Sequence, residues 1–189
     1  YVASLNVIIN ESEVLNSTVN NLLQLSRITA SEERVSHQNI QFYEFLNDIK
    51  SNFDFINPDN QVRINVNDVI DEYAVVGNEN LLKTAIINLL DNACKFSSNE
   101  LVNVDLRVEN NEIALAISDH GIGISKEDLS KILTPFYRGQ NAMTVKGSGI
   151  GLSLCSKIVA LHQGTMEVQS EVNEGSTIVV KLPVFSKSK

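Results

Sequence analysis

The chain has 189 residues, enough for one domain of ordinary size and an appendage, and its 43% hydrophobic content with only three prolines argues for a packed globular protein. A net charge of −8 argues against a general grip on the nucleic-acid backbone, which needs a basic face, and gives no reason for docking on anionic lipid. It leaves a small phosphorylated ligand open, because a few local cations and backbone N–H groups suffice to hold one.

Residues 1–30 read as one long helix. Leu5, Ile8, Ser12, Leu15, Val19, Leu22 and Ser26 recur at alternating spacings of three and four, the seam of a coiled coil or antiparallel bundle. Nothing within this segment can cover that seam, so its partner is expected to be a second copy or a helix missing on the N-terminal side; the alternative is a helix that packs on its own domain. The chain lacks an initiator Met and opens inside a helical pattern, which reads as a fragment of something longer. Residues 31–37 are polar and read as a linker.

The expected domain then runs over 38–189. Ile40 and Phe42 alternate as a short strand, and Phe42, Phe45, Leu46 and Ile49 give a helix over about 43–53. Asn57-Pro58-Asp59-Asn60 is a turn. Val62, Ile64 and Val66 alternate as a strand, and 73–76 makes a short one. Asn78 or Asn80 can cap a helix to Phe96, with Leu82, Ala85, Ile86, Leu89 and Ala93 on its apolar face. Strands over 102–108 and 113–117 form a hairpin across Asn110-Asn111. Ser125 with Glu127-Asp128 starts a short helix, and residues 139–148 are polar and glycine-bearing without periodicity. A helix from Gly149 to His162 stops at Gly164, and strands over 166–168 and 177–182 finish the chain. The predicted fold class is α+β: a two-layer α/β sandwich, a mixed sheet covered by three helices, preceded by the long N-terminal helix.

Cys94 and Cys155 fall inside predicted helices without CxxC spacing and read as buried apolar side chains of a reducing compartment. No apolar run approaches the roughly 18 residues that span a bilayer, and no signal-peptide pattern occurs.

Three stretches carry chemistry. Asp119 closes a strand and is followed at once by Gly121 and Gly123. A carboxylate there can accept a hydrogen bond from an exocyclic amine, and the glycines let backbone approach a flat base. Taken alone, the stretch is also compatible with a hairpin turn bearing a solvated Asp. Gly147-Ser148-Gly149-Ile150-Gly151 leads into a helix, where glycine amides and the helix dipole make an anion site; it is not a P-loop, since no GK[ST] follows. Taken alone, it could be a flexible linker. Asn88 and Asn92 share one helix face, with Lys95 and Phe96 one turn later. Neutral amide oxygens suit Mg²⁺ when phosphates supply the charge, Lys95 can reach phosphate, and Phe96 offers a flat apolar surface. As asparagines alone they would read as ordinary helix-surface residues.

In this order the stretches resemble the ATP-binding domain of sensor histidine kinases, a Bergerat-type domain of the superfamily shared with gyrase, the Hsp90 chaperones and the MutL repair proteins. Asn88 to Phe96 resembles the family's N box and Asp119-His120-Gly121-Ile122-Gly123 its first glycine box. Pro135-Phe136-Tyr137-Arg138 resembles its F box, Gly147 to Leu152 its second glycine box, and Glu174-Gly175-Ser176-Thr177 its closing element. The resemblance implies roles residue by residue. Asn92 would coordinate Mg²⁺, with Asn88 and Lys95 near the phosphates. Asp119 would receive the adenine amine and Phe96 would stack on the ring. Arg138 would steady the γ-phosphate, which sets Asn88, Lys95 and Arg138 as catalytic. Residues 139–148 would form a mobile lid from which Lys146 reaches phosphate. Gly121, Gly123, Ile124, Phe136, Tyr137, Gly147, Ser148, Gly149, Ile150, Gly151, Leu152 and Thr177 would complete the ATP site.

The helix over 1–30 resembles the second helix of the family's dimerisation bundle. The first, with its phosphoacceptor His, is absent: His37, His120 and His162 lack the expected Ser-His-Glu context. The resemblance therefore implies a kinase that phosphorylates a histidine outside this chain, works as a homodimer, and passes the phosphoryl to a response regulator receiver domain. It implies a cytoplasmic location, as part of a membrane-anchored bacterial sensor, and no nucleic-acid partner. Relatives of the gyrase kind carry a Glu where this chain has Asn88, and an amide is a poor general base for activating water. A water-using ATPase or clamp, a binding module without turnover, and a Ser/Thr kinase of the anti-sigma type are the alternatives.

Overall fold

The computed structural model describes residues 9, 12, 15, 16, 18–26, 28, 38–66 and 73–186. The predicted linker 31–37, His37 and the seam residues Leu5 and Ile8 lie outside the described residues. The described residues from Ile9 to Ile28 are all helical, and these described residues are here called helix α1. Its expected seam is largely uncovered: Leu15 is 64% and Val19 45% exposed, and Ser12 and Ser26 are exposed as well. Leu22, by contrast, packs with Leu25 and the buried Ile28 against the core.

Among the described residues, seven strands form one mixed sheet: β1 (Gln38–Gln41), β2 (Val62–Val66), β3 (Tyr73–Gly77), β4 (Val102–Glu109), β5 (Glu112–Asp119), β6 (Thr165–Glu171) and β7 (Gly175–Ser186). Their order is β1-β3-β7-β5-β4-β2, with β6 also pairing β7. Only β2 and β4 run parallel; the other pairs are antiparallel. The β4–β5 hairpin turns through Asn110 and Asn111 at φ 51° and 64°, a left-handed pair that Asn tolerates better than most residues.

Alternation sets one face of the sheet against the helices. Val102, Val104 and Leu106, then Ile113, Leu115 and Ile117, then Ile178, Val180, Leu182 and Val184 are buried. Against them pack α2 (Phe42–Ile56), α3 (Glu79–Phe96) and α5 (Gly151–Leu161), and α4 (Lys126–Leu129) is a single turn capped by the Ser125 hydroxyl. The other face is wet and carries the ion pairs of Lys181 with Glu109 and Glu167. Phe42, expected to end a strand, instead opens α2, where its side chain is fully buried. Helix burial outweighs an alternation only two apolar residues long.

α3 and α5 are joined at their ends. Asn78 caps α3 by accepting the Leu81 N–H at 3.0 Å, and its own N–H donates to His162 Nε2 at 2.9 Å. Nδ1 of this buried ring, 2.6 Å from the Ile158 carbonyl oxygen, must then carry the proton and donate. The ring lies so close to Gly77 that a Cβ there would meet it at 2.3 Å. Cys94 and Cys155 are buried thiols; burial pushes them up to about 11 and about 12, so neither is a ready nucleophile.

Candidate functional site

The helix-facing side of the sheet opens at one end into a cavity of about 430 Å³, within the range of small-molecule sites. Its floor is the sheet. Ile117 and Asp119 of β5 and Ser176 and Ile178 of β7 line it, side by side in the ladder. Strand parity does this: odd residues of β5 and even residues of β7 face the helices. Thr177, the residue expected at the site, therefore faces the other way, and its hydroxyl pairs with Ser118 at 2.9 Å. Ser176 lines the cavity in its place, a shift legible in the alternation through Ile178, Val180 and Leu182.

Asp119 accepts the Gly121 N–H at 2.8 Å and a further backbone N–H from Ser176. Burial nonetheless holds its carboxyl above the ordinary range, with those two N–H groups and His120 opposing. Gly121 does not line the cavity. A Cβ there would lie 2.2 Å from the Phe96 carbonyl oxygen, which also accepts the Ile122 N–H at 3.2 Å. The glycine thus seats the turn on the end of α3. Gly123 lines the cavity at φ +62° with Glu171 backbone beneath it, where a Cβ would come within 1.9 Å of the carbonyl oxygen. Ile124, also lining, donates its N–H to Ser170 Oγ.

α3 supplies the opposite wall. Asn88, Asn92, Lys95 and Phe96 all line the cavity, joined by Asp91. Asn88 donates its Nδ2 to the Thr84 carbonyl at 2.9 Å, so its Oδ1 is not engaged by that bond. Gly151 begins α5 against these amides; a Cβ on it would stand 3.2 Å from Asn88 Oδ1 and 3.6 Å from Asn92 Nδ2. Lys95 pairs with Asp91 at 2.5 Å in a half-exposed i,i+4 bridge, a bond cheap to exchange for another anion.

The segment between α4 and α5 forms the roof. Tyr137, Arg138, Lys146, Gly147, Ser148, Gly149, Gly151 and Leu152 line the cavity. α5 starts at Gly151 and not at the expected Gly149, because Gly149 sits at φ +73°, outside helical space. Ile150 is fully buried in the core and does not line the cavity. Phe136 does not line it either: at φ +67° its N–H donates to the Gly149 carbonyl while its ring is 59% exposed. The Tyr137 hydroxyl donates to the Asp128 carboxylate at 2.5 Å, which holds that carboxyl below its usual range and raises the phenol. Arg138 donates through Nη2 to the carbonyls of Ala142 and Val145, bracing the segment internally.

Sequence reasoning missed several lining residues. Asn141 ties the roof to the first glycine turn by donating to the Gly123 carbonyl at 2.9 Å. Thr18 and Asn21 of α1 line the cavity too. Their only signal was a helix face distinct from the stronger bundle seam.

The cavity thus presents an acceptor flanked by apolar strand residues at its floor, neutral amides and an exchangeable lysine on one wall, and glycine amides at a helix start. Residues 77–186 match the family described as histidine kinase-, DNA gyrase B-, and HSP90-like ATPase. The sensor-like histidine kinase SenX3 of Mycobacterium tuberculosis (strain ATCC 25618 / H37Rv) is 32% identical over 180 residues, covering 93% of this chain and 43% of its own length. The sensor protein RprX of Bacteroides fragilis (strain YCH46) is 30% identical over 184 residues, 95% of this chain and 36% of its own. This chain spans less than half the length of these relatives. Among solved structures, the Acinetobacter baumannii histidine kinase AdeS superposes with a TM-score of 0.72 at 21% identity, over 95% of this chain and 83% of that one. Full-length ShkA in complex with AMPPNP gives 0.79 at 19% identity, over 99% of this chain and 39% of that one. At such identities these two speak to the fold.

Proposed function

This chain belongs to the family of histidine kinase-, DNA gyrase B- and HSP90-like ATPases, as the ATP-binding catalytic domain of a sensor histidine kinase, and from that premise we propose the chemistry of its cavity. The domain transfers the γ-phosphoryl group of Mg-ATP to a histidine outside this chain. An imidazole nitrogen attacks the γ-phosphorus, the bond to the bridging oxygen breaks, and ADP leaves with that electron pair.

One observation carries the reading: Asp119, Asn88, Asn92, Lys95 and the 147–151 loop, far apart in sequence, share a single cavity. Asp119 accepts the adenine amine between Ile117 and Ile178, with Phe96 against the ring. Gly123, Ile124 and Ser176 shape that end. Glycine amides at 147–151 and Lys146 take the phosphates, and Lys95 exchanges Asp91 for phosphate. Arg138 leaves the lid carbonyls to steady the γ-phosphate. Among the described residues no group of three His, Cys, Asp or Glu is placed to hold a metal ion, so a Mg²⁺ ion on the Asn92 amide oxygen would draw most of its charge from the phosphates. That ion would neutralise charge on the transferred group. Where water activation needs a carboxylate, this chain has Asn88, so the site guards ATP from water and relies on in-line positioning.

The exposed stripe of Leu15, Val19 and Leu23 on α1 supports a partner helix in a homodimeric parent, the helix that carries the acceptor histidine. A response regulator receiver domain would take the phosphoryl onward. No described helix is long and apolar enough to cross a membrane; we assign the domain to the cytoplasmic part of a membrane-anchored sensor. The test mixes this chain, Mg-ATP labelled at the γ-position and a helical bundle bearing the histidine. Acid-labile, base-stable label on the bundle supports the reading. Steady phosphate release without the bundle, and no label with it, overturns it.

A further inference from the structure

Helix α1 carries two stripes. Leu22, Leu25 and Ile28 pack against the core, while Leu15, Val19 and Leu23 stay exposed. At about 100° per residue, Thr18 and Asn21 fall on the packed side, and both line the same cavity as Asn88 and Asn92. The helix therefore does more than lead into the domain: it contributes a wall of the site.

We propose that Thr18 and Asn21 bind the polyphosphate of the nucleotide, so that nucleotide binding and docking of α1 reinforce each other. This rests on the cavity being an ATP site. The chemistry selects the phosphate end. A hydroxyl and a neutral amide are hydrogen-bond donors suited to anionic oxygens, or to the water shell of a bound cation. The base has its acceptor in Asp119 and its apolar contacts in Ile117 and Ile178. Docking in this position leaves the Leu15, Val19 and Leu23 stripe uncovered, so the same helix can pair with another helix while it walls the cavity. Linkage then runs both ways: a nucleotide that binds the docked form better must hold α1 down, and a signal that lifts α1 must loosen the nucleotide.

The experiment titrates ATP, ADP and AMP, each with Mg²⁺, into the whole chain and into Asn21→Ala and Thr18→Val. Hydrogen exchange over residues 18–26 is followed with and without ATP. Loss of one hydrogen bond to an anionic oxygen should weaken ATP and ADP about tenfold or more, with AMP unchanged. ATP should slow exchange in α1 of the wild type, and less so in Asn21→Ala. Unaltered ATP affinity in both variants, equal weakening of all three nucleotides, or exchange in α1 indifferent to ATP would overturn the proposal. Wild-type binding in the same titration separates the causes. If the wild type binds ATP and the variants match it, only the role of α1 fails. If the wild type binds no nucleotide, the ATP reading fails with it.

Discussion

Asp119→Asn is the sharpest probe of base recognition, because it exchanges an acceptor oxygen for a donor without changing size. Asp119 stands at the end of β5 with its carboxylate in the cavity floor. A hydrogen bond from an exocyclic amine to a carboxylate is worth about 1.5–3 kcal/mol, so ATP affinity should fall by about 10- to 150-fold. Guanine offers a carbonyl oxygen at the same position, to which the new amide can donate. GTP affinity should therefore hold or rise, and the preference for ATP should collapse. The unliganded fold should behave in the opposite way. The carboxyl is held above its ordinary range by burial, so ionising it costs the folded state. The wild type gains from the neutral acid below the unfolded value and loses that gain as pH rises through the folded one. Asn has no such loss. Thermal midpoints of the two proteins should converge in acid, and the variant should draw ahead toward neutral pH. Calorimetry with both nucleotides, beside melting from acid to neutral pH, reads each arm. An equal fall in ATP and GTP affinity would falsify the base-reading role; a variant less stable at neutral pH would refute the electrostatic argument.

Further outcomes follow from the same contacts. Asn92→Ala should cost about tenfold or more in ATP affinity with magnesium present and little in EDTA; equal losses in both would remove Asn92 from the metal. Gly123→Ala forces a side chain into left-handed backbone with Glu171 carbonyl 1.9 Å from its Cβ. Urea melts should show about 2–4 kcal/mol lost, and an unchanged midpoint would contradict the packing described. His162→Ala opens a void and removes the ring that accepts the Asn78 N–H and so joins α3 to α5, while the Ile158 carbonyl keeps the residue 162 backbone N–H. We expect about 2–4 kcal/mol lost, measured the same way, and a loss below 1 kcal/mol would count against that latch.

Much of this architecture is legible from local pattern. The alternations over 102–108 and 113–117, the Asn110-Asn111 turn and the Asn78 cap each encode their own geometry, and the structure has them where periodicity puts them. That Asp119, Asn88 and Asn92 belong to a site is legible from the residues beside them, and all three line the cavity. What fails locally is orientation. Thr177 and Ser176 are equally plausible as residues and differ only in strand parity, which reading outward from the buried Ile178 would have resolved. Phe136 and Ile150 sit inside matching motifs, yet serve the backbone and the core. The Asn141 tether and the α1 wall depend on segments meeting in space, and no spacing in the chain records that meeting.

The most direct measurement is calorimetric titration of the folded chain with Mg-ATP at two temperatures, so that a chance zero of enthalpy at one cannot hide binding. One saturable site per chain is expected, competed by ADP and weakened by Asp119→Asn. Absence of heat at both temperatures, from protein that circular dichroism shows to be folded, would contradict it.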